Sequence, residues 1–307
     1  QTIEEAPVGE TVAVIATDYV GLKARMEVQA GDTVKRGQLL LEDRKNPGVL
    51  FTAPAAGTVK AVNRGAKRAL LSVVIDLSDA EKAGKGEDEH VTFESYSGKG
   101  ADELSREDVA ALLKESGEWS ALRQRPFSTV PAVDSEPHAL FINAMDTHPL
   151  APDLDLVYAE HREAFDLGVT LLSKLTSGKT YLCSGGNSKV THGATPAQTE
   201  VFDGPHPAGT SGLHIHTLAP ASAKRASWYI GLQDVVAIGK LFQTGKLFVE
   251  RVYSLAGPVV KDPRVLRTRR GVSTDLLAEG QYKDCEPRIV AGSVFGGRQA
   301  TGDVTGY

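Results

Sequence analysis

Cysteine is nearly absent: Cys183 and Cys285 are the only two among 307 residues, and they stand far apart. That count excludes a disulfide framework, and with no Cys-x-x-Cys pair it excludes a thiolate-bound zinc or iron–sulfur site. Reduced, buried thiols in a cytosolic compartment are the expectation. Long apolar runs are missing too. The longest, such as Ala69 to Ile75, are strand-sized and fall well short of the roughly 18 residues that a membrane-spanning helix needs. Any membrane association must then run through partners or the surface. An excess of positive charge is also lacking, since 34 Lys and Arg face 39 Asp and Glu for a net −5. No nucleic-acid partner is expected from such a balance. One basic stretch, Arg264 to Arg270, departs from it and reads as a solvated strand edge. No signal peptide is visible, and Gln1 opens inside what reads as a structured segment, so the natural start is expected upstream.

What is present is the composition of an ordinary globular chain, 41% hydrophobic with 31 glycines, and long enough for two or three cores. From Val12 to Leu77, short Val- and Ala-rich runs are punctuated by Ala30-Gly31-Asp32 and Asn46-Pro47-Gly48, which predicts small all-β structure. Its order, Met26-Glu27-Val28, then Gly31-Asp32-Thr33-Val34-Lys35-Arg36-Gly37-Gln38-Leu39-Leu40, then Ala53-Pro54-Ala55-Ala56-Gly57-Thr58-Val59, is similar to the biotinyl/lipoyl-like β barrel. Gly31 and Gly37 would permit the turns beside a short strand. In carriers of that fold a lysine between the halves bears the cofactor, and Lys45 lies there. Its setting, Asp43-Arg44-Lys45-Asn46-Pro47-Gly48, lacks the carrier pattern and favours a structural turn residue.

Residues 79 to 94 are acidic, glycine-rich and poor in large apolar side chains, the mark of a linker or exposed loop. Ser105 and Asp108 then form a capping-box-like start for a helix to about Glu115. Beyond it, strand-like Ala139–Ala144, a helical Leu156–Leu175, strand-like Thr180–Cys183 and Gly212–Leu218 alternate as in a Rossmann-like α/β layer. Ser184-Gly185-Gly186-Asn187 lies where such folds bind ligands, yet it lacks the Gly-x-Gly-x-x-Gly spacing and is no P-loop. A helix over Asp234–Phe242 precedes strands at Lys246–Ala256 and Val265–Arg269, a helical turn at Asp275–Ala278 and a strand at Arg288–Ala291. That order resembles a β-grasp module. The expected architecture is therefore a multidomain α/β chain, with a biotinyl/lipoyl-like barrel and linker over 1–95, a Rossmann-like domain over 96–245 and a β-grasp domain over 246–307.

Several strings carry a family resemblance: Lys45-Asn-Pro-Gly-Val49, Phe51-Thr-Ala-Pro-Ala-Ala-Gly57, Asn63-Arg-Gly-Ala-Lys-Arg68, Gly204-Pro-His-Pro-Ala-Gly209 and Gln233-Asp-Val-Val-Ala-Ile-Gly-Lys-Leu-Phe242. Together the chain resembles the A subunit of the bacterial sodium-translocating NADH:quinone reductase, cut short before Gln1 and after Tyr307. The resemblance implies a peripheral subunit on the cytoplasmic side of the bacterial inner membrane, in a six-subunit complex. It implies flavins and an iron–sulfur cluster on partner subunits, no cofactor on this chain, and ubiquinone as the substrate contacted.

A planar quinone head can stack on aromatics and accept hydrogen bonds, so Trp119, Arg125, Pro126 and Phe127, with Tyr19, Val20, Gly21 and Leu22, are the candidate quinone contacts. The plainer reading makes these aromatics core anchors. His214 and His216, one residue apart on the expected strand, would share a face and could in principle ligate a metal, though without a third ligand packing is favoured. His192 and His206 read as loop residues, and Asp146, His148, Asp153 and Asp155 as a polar, proline-rich loop without catalytic company. The rival functions are a lipoyl- or biotinyl-type carrier, a flavin-dependent NADH-oxidising component and a structural scaffold.

Overall fold

The computed structural model describes residues 1–190 and 195–306, with Glu87 described by its backbone alone. Near the N-terminus two antiparallel sheets face each other. One has the spatial order Thr11–Ile15, Leu70–Leu77, Gly57–Arg64 and Thr33–Val34. The other runs Ala24–Met26, Leu39–Asp43, Leu50–Thr52. Val12, Val34, Leu41, Val59, Val73 and Ile75 are buried in one core, as expected where β-branched residues pack on pleated faces. Gly31 and Gly37 have φ of 95° and 84°, the left-handed conformation their turns require. Lys45 is exposed in a turn whose Asp43 Oδ1 accepts from its amide at 3.0 Å. Asn46 Nδ2 donates to the Val130 carbonyl at 3.2 Å and docks that turn.

A five-stranded sheet forms the middle layer, in the order Gln198–Val201, Lys179–Ser184, Ala139–Asn143, Ser227–Gly231 and Arg123–Arg125. Its strands are parallel except Arg123–Arg125, which runs antiparallel along Ser227–Gly231. Alternation divides the faces. Leu140, Ile142, Leu182 and Ile230 share a core with residues of the helices Leu154–Ser173 and Leu232–Thr244. Those helices touch backbone to backbone: a Cβ on Gly239 would lie 1.8 Å from the Ala164 carbonyl oxygen. On the other face Ala139, Phe141, Tyr181 and Cys183 pack under Ile215 and Ala219.

The segment expected as a strand at Gly212–Leu218 is instead the helix Ser211–Leu218. Its alternating Leu-His-Ile-His pattern mimics a strand, but burial over the sheet face selects the helix. The strands Arg123–Arg125, Gln198–Val201 and Ser227–Gly231 have no counterpart in the sequence reading, being short or flanked by misleading polar residues.

A third sheet joins the two ends of the chain: Ile3–Glu5 pairs in parallel with Arg264–Arg269, which pairs antiparallel with Glu250–Leu255. The basic strand is not a solvated edge. Arg267 lies 2.5 Å from Glu160 and 3.4 Å from Glu5, Arg269 3.0 Å from Glu81, and Arg270 2.6 Å from Glu118. The expected linker or exposed loop is mostly exposed or half-buried but anchored at Glu81 by the same kind of contact. Ser78 caps the helical turn Asp79–Lys82, and Glu81, only 3% exposed, is held by Arg36 at 2.6 Å and by the Ala56 amide at 2.8 Å. Composition shows the acidic bias of this segment, but not that one of its carboxylates is buried between two arginines.

Burial alone would push the Glu81 carboxyl up, but the Arg36 hydrogen bonds, the Arg269 charge and the Ala56 N–H hold it below the usual carboxylate range. A carboxyl more acidic when folded than unfolded contributes stability above its unfolded value, near pH 4.5, and that contribution is lost as pH falls through the folded value. Glu81→Gln leaves the buried Arg36 and the half-buried Arg269 uncompensated and should cost roughly 3 kcal/mol at pH 7. Its acid-side loss of stability should also be shallower than that of the parent. Denaturant melts at pH 7 and pH 3.5 check both, and equal acid sensitivity in the two proteins would contradict this account.

Candidate functional site

The segment after the short turn Ala16–Asp18 carries Tyr19 onto the barrel. Its ring meets Phe51 edge-on at 4.6 Å, and the Arg123 guanidinium lies over it, 4.9 Å from its centre. A cavity of about 80 Å³ opens here, bounded by Asp18, Tyr19, Phe51, Pro54, Ser120 and Arg270. Small-molecule pockets usually exceed roughly 300 Å³, so this one admits the edge of a ring and not a whole head group. Arg270 beneath it is kept charged: burial works against the cation, and the Glu118 carboxylate more than offsets that. Val20 is exposed, Gly21 has φ 80° with open space where a side chain would stand, and the Leu22 amide donates to the Tyr19 carbonyl at 3.2 Å.

The strand Arg123–Arg125 links this corner to the second candidate segment. Arg125 lies two residues beyond Arg123 on the same face, with its guanidinium 5.6 Å from the centre of the Tyr229 ring and its Nε buried without a partner. Pro126 is exposed after a cis bond, and Phe127 is 70% exposed, so it is no core anchor. Ser128 Oγ and the Tyr229 hydroxyl are 2.5 Å apart and hold the loop. Trp119 stands elsewhere. It is fully buried, donates to the Pro131 carbonyl at 2.9 Å and meets Trp228 edge-on at 5.5 Å. The structure therefore brings Tyr19, Arg123 and Arg125 to one strand, leaves Phe127 projecting beside them and sets Trp119 in the core. Sequence reasoning misses Arg123, Phe51 and Arg270. The alternation Arg123-Gln124-Arg125 is the one available signal.

The other candidates have structural partners. His214 and His216 lie on a helix, where residues two apart point about 200° apart and cannot share a metal. His214 is fully buried, with Nε2 donating to the Ala208 carbonyl at 2.7 Å, and burial pushes it towards the neutral form. His192 lies outside the described residues. His206 stacks on Phe295 at 5.0 Å and tilts against His148 at 4.6 Å, while His148 Nδ1 is 2.6 Å from Asp146. Asp153 caps the helix Leu154–Ser173. Asp155 accepts from Ser188 Oγ at 2.6 Å and the Lys189 amide at 2.8 Å. Glu160, His161 and Glu250 cluster as metal ligands could, but Arg267 already bridges the two carboxylates, 2.5 Å from Glu160 and 3.5 Å from Glu250. Burial pushes the Cys183 thiol up to about 12, so it stays protonated and is a poor ligand.

The glycine-rich turn Ser184–Asn187 is occupied from within. Asp203 accepts from the Gly186 amide at 2.9 Å, and a Cβ on Gly186 would sit 2.4 Å from that carboxylate. Across the strand ends, Asn143 Nδ2 donates to the Gly209 carbonyl at 3.0 Å. A carboxylate thus stands where a phosphate would have to bind.

A barrel of two small sheets is joined through buried arginine–glutamate pairs to a helix-covered sheet, with an aromatic and arginine corner and, among the described residues, no open nucleotide cradle. That build defines a mixed α/β chain with an N-terminal barrel-sandwich unit. Family models agree by segment: the NqrA N-terminal barrel-sandwich hybrid domain matches residues 1–78, the NqrA second alpha/beta domain 104–247 and the NQRA C-terminal domain 252–302. The chain belongs to the family of the A subunit of the Na(+)-translocating NADH-quinone reductase. It is 48% identical to that subunit of Pasteurella multocida (strain Pm70) over 99% of this chain and 67% of the relative. For Vibrio atlanticus (strain LGP32) the figures are 48%, 98% and 66%, and for Saccharophagus degradans 49%, 100% and 67%. The chain thus spans about two thirds of the length of these curated relatives. A solved NAD+-reducing [NiFe]-hydrogenase, 12% identical with a TM-score of 0.41 over 72% of this chain and 55% of that one, is too distant to bear on the reading.

The occupied turn predicts that neither FMN nor NADH binds at Ser184–Asn187. Titration of either into the purified chain should give no saturable signal, and a signal abolished by a bulky substitution at Gly186 would refute this.

Proposed function

We propose that the chain acts as a peripheral, cytoplasm-facing subunit of a sodium-pumping NADH:quinone oxidoreductase in a bacterial inner membrane. The observation that carries this reading is the 48% identity to the Pasteurella multocida protein across 99% of the chain. In this reading NADH is oxidised at flavin and iron–sulfur centres on partner subunits, sodium crosses through membrane-embedded ones, and this chain supplies architecture and a contact for ubiquinone. No helix among the described residues is long and apolar enough to cross a membrane, which fits attachment through partners. The same reading divides the chain into a barrel with its linker over 1–95, a Rossmann-like domain over 96–245 and a β-grasp domain over 246–307.

The quinone contact is assigned to the strand that carries Arg123 and Arg125, with Tyr19 to Leu22 on one side and Arg125 to Phe127 on the other. Tyr19 and the exposed Phe127 offer ring faces, and the arginines offer N–H donors to a quinone oxygen that gains negative charge on reduction. Trp119 would act through the core it anchors. A second reading, a scaffold without quinone contact, is favoured by the small cavity of about 80 Å³.

Membranes of a strain lacking this protein should lose sodium-dependent quinone reduction by NADH, and the full-length protein should restore it; retained activity would remove the subunit reading. For the contact itself, ring stacking is worth roughly 0.5–1.5 kcal/mol, so Tyr19→Ala and Phe127→Ala should each weaken binding of a short-chain ubiquinone several-fold. Phe127→Ala should leave thermal stability within about 0.5 kcal/mol of the parent, because the ring is mostly in solvent. Unchanged quinone affinity in both variants would leave the scaffold reading standing.

A further inference from the structure

At the amino ends of the middle sheet's strands, the starts of Ala139–Asn143 and Lys179–Ser184, with Arg225 just before a third strand, border a cavity of about 400 Å³. Its floor is apolar and aromatic: Ala139 and Tyr181 rise from the sheet, with Leu218 and Ala219 above them at the end of the helix Ser211–Leu218. Its rim is basic, formed by His138, Lys179 and Arg225. Neither Lys179 nor Arg225 has a carboxylate partner among the described residues. Arg225 spends one N–H on the Nε2 of His138, leaving four donors of its planar fork.

Nearby groups that could satisfy these cations are engaged elsewhere. Glu136 accepts from the Ser177 amide at 2.5 Å, and that hydrogen bond, helped by the Arg106 charge, holds its carboxyl below the usual range. The carbonyl of Ala219, at the negative end of the helix, accepts from Ser227 Oγ at 3.2 Å. The Gly178 amide is tied to Thr176 and the His138 amide to the Ala226 carbonyl. The donors left are side-chain cations, in a chain whose net charge is −5. Elsewhere this protein pairs its arginines with carboxylates, as at Arg36, Arg267, Arg269 and Arg270.

We infer that this cavity binds an organic phosphate or carboxylate with a small apolar body, its anionic head between Lys179 and Arg225 and its body on Tyr181 and Ala139. Arginine suits such a head because its fork matches two oxyanion oxygens at once, and lysine adds a mobile charge. The volume lies within the ordinary range for small ligands, roughly 300–1,000 Å³. The site is separate from the proposed quinone contact and does not depend on it.

Phenyl phosphate, inorganic phosphate and benzyl alcohol are titrated calorimetrically into the purified chain and into Lys179→Met and Arg225→Met. Both side chains are exposed, so the variants should melt with the parent. Phenyl phosphate should saturate one site, inorganic phosphate should bind at least about tenfold more weakly, and each substitution should weaken phenyl phosphate about tenfold. Vesicles containing phosphatidic acid, sedimented with the same proteins, separate the sources: Lys179- and Arg225-dependent sedimentation assigns the head group to a lipid, and its absence to a soluble ligand. Failure of phenyl phosphate to saturate, equal binding by benzyl alcohol or inorganic phosphate, or binding unchanged in both variants would overturn the assignment.

Discussion

Glu81 sits between two guanidinium groups that arrive from distant parts of the sequence, Arg36 from the barrel and Arg269 from the strand beyond residue 263. A single carboxylate, with almost no contact with water, cannot be left with one partner without a large desolvation penalty, so the pieces that present these arginines must dock together or not at all. Arg269 also donates to the Pro54 carbonyl at 3.0 Å. The next residue, Arg270, reaches Glu118 at the end of the helix Arg106–Ser116. Two adjacent residues at the end of one strand therefore fasten the barrel and the α/β layer to the same sheet. Arg267 extends the series to Glu160 on the long helix.

The locally encoded elements are legible in the sequence. Ser105 and Asp108 form the capping box their spacing implies, and Leu154–Ser173 and Leu232–Thr244 appear where helical periodicity places them. What is illegible is long-range. Glu81 looks like any residue of an acidic loop until Arg269, 188 positions later, is placed against it. The run Arg264–Arg270 likewise looks like a charged face, because pairing across the chain leaves no local trace. The helix Ser211–Leu218 misleads for a related reason: its pattern suits a strand, and only the sheet beneath it decides.

The candidate contact shows the same division. Tyr19, Arg125 and Phe127 are legible as loop aromatics beside a cation, but the strand that unites them is not, since three residues carry almost no periodicity. Trp119 is drawn in by its chemistry and excluded by its burial, with its indole N–H already satisfied at Pro131.

The two ends of the middle sheet have opposite character, and the reason lies in where the chain spends its carboxylates. At the carboxyl ends of the strands, where parallel sheets ordinarily receive anionic ligands, Asp203 fills the Gly186 amide and Asn143 ties the crossing chain down. At the amino ends, Glu136 is drawn to a backbone amide while Lys179 and Arg225 keep their donors open. A protein that sets Glu81 between Arg36 and Arg269 and Glu118 against Arg270 leaves Lys179 and Arg225 without a carboxylate, among the described residues, over an aromatic floor. Because that unmet charge is positive and adjoins apolar surface, the chemistry able to meet it is an anion with an apolar part.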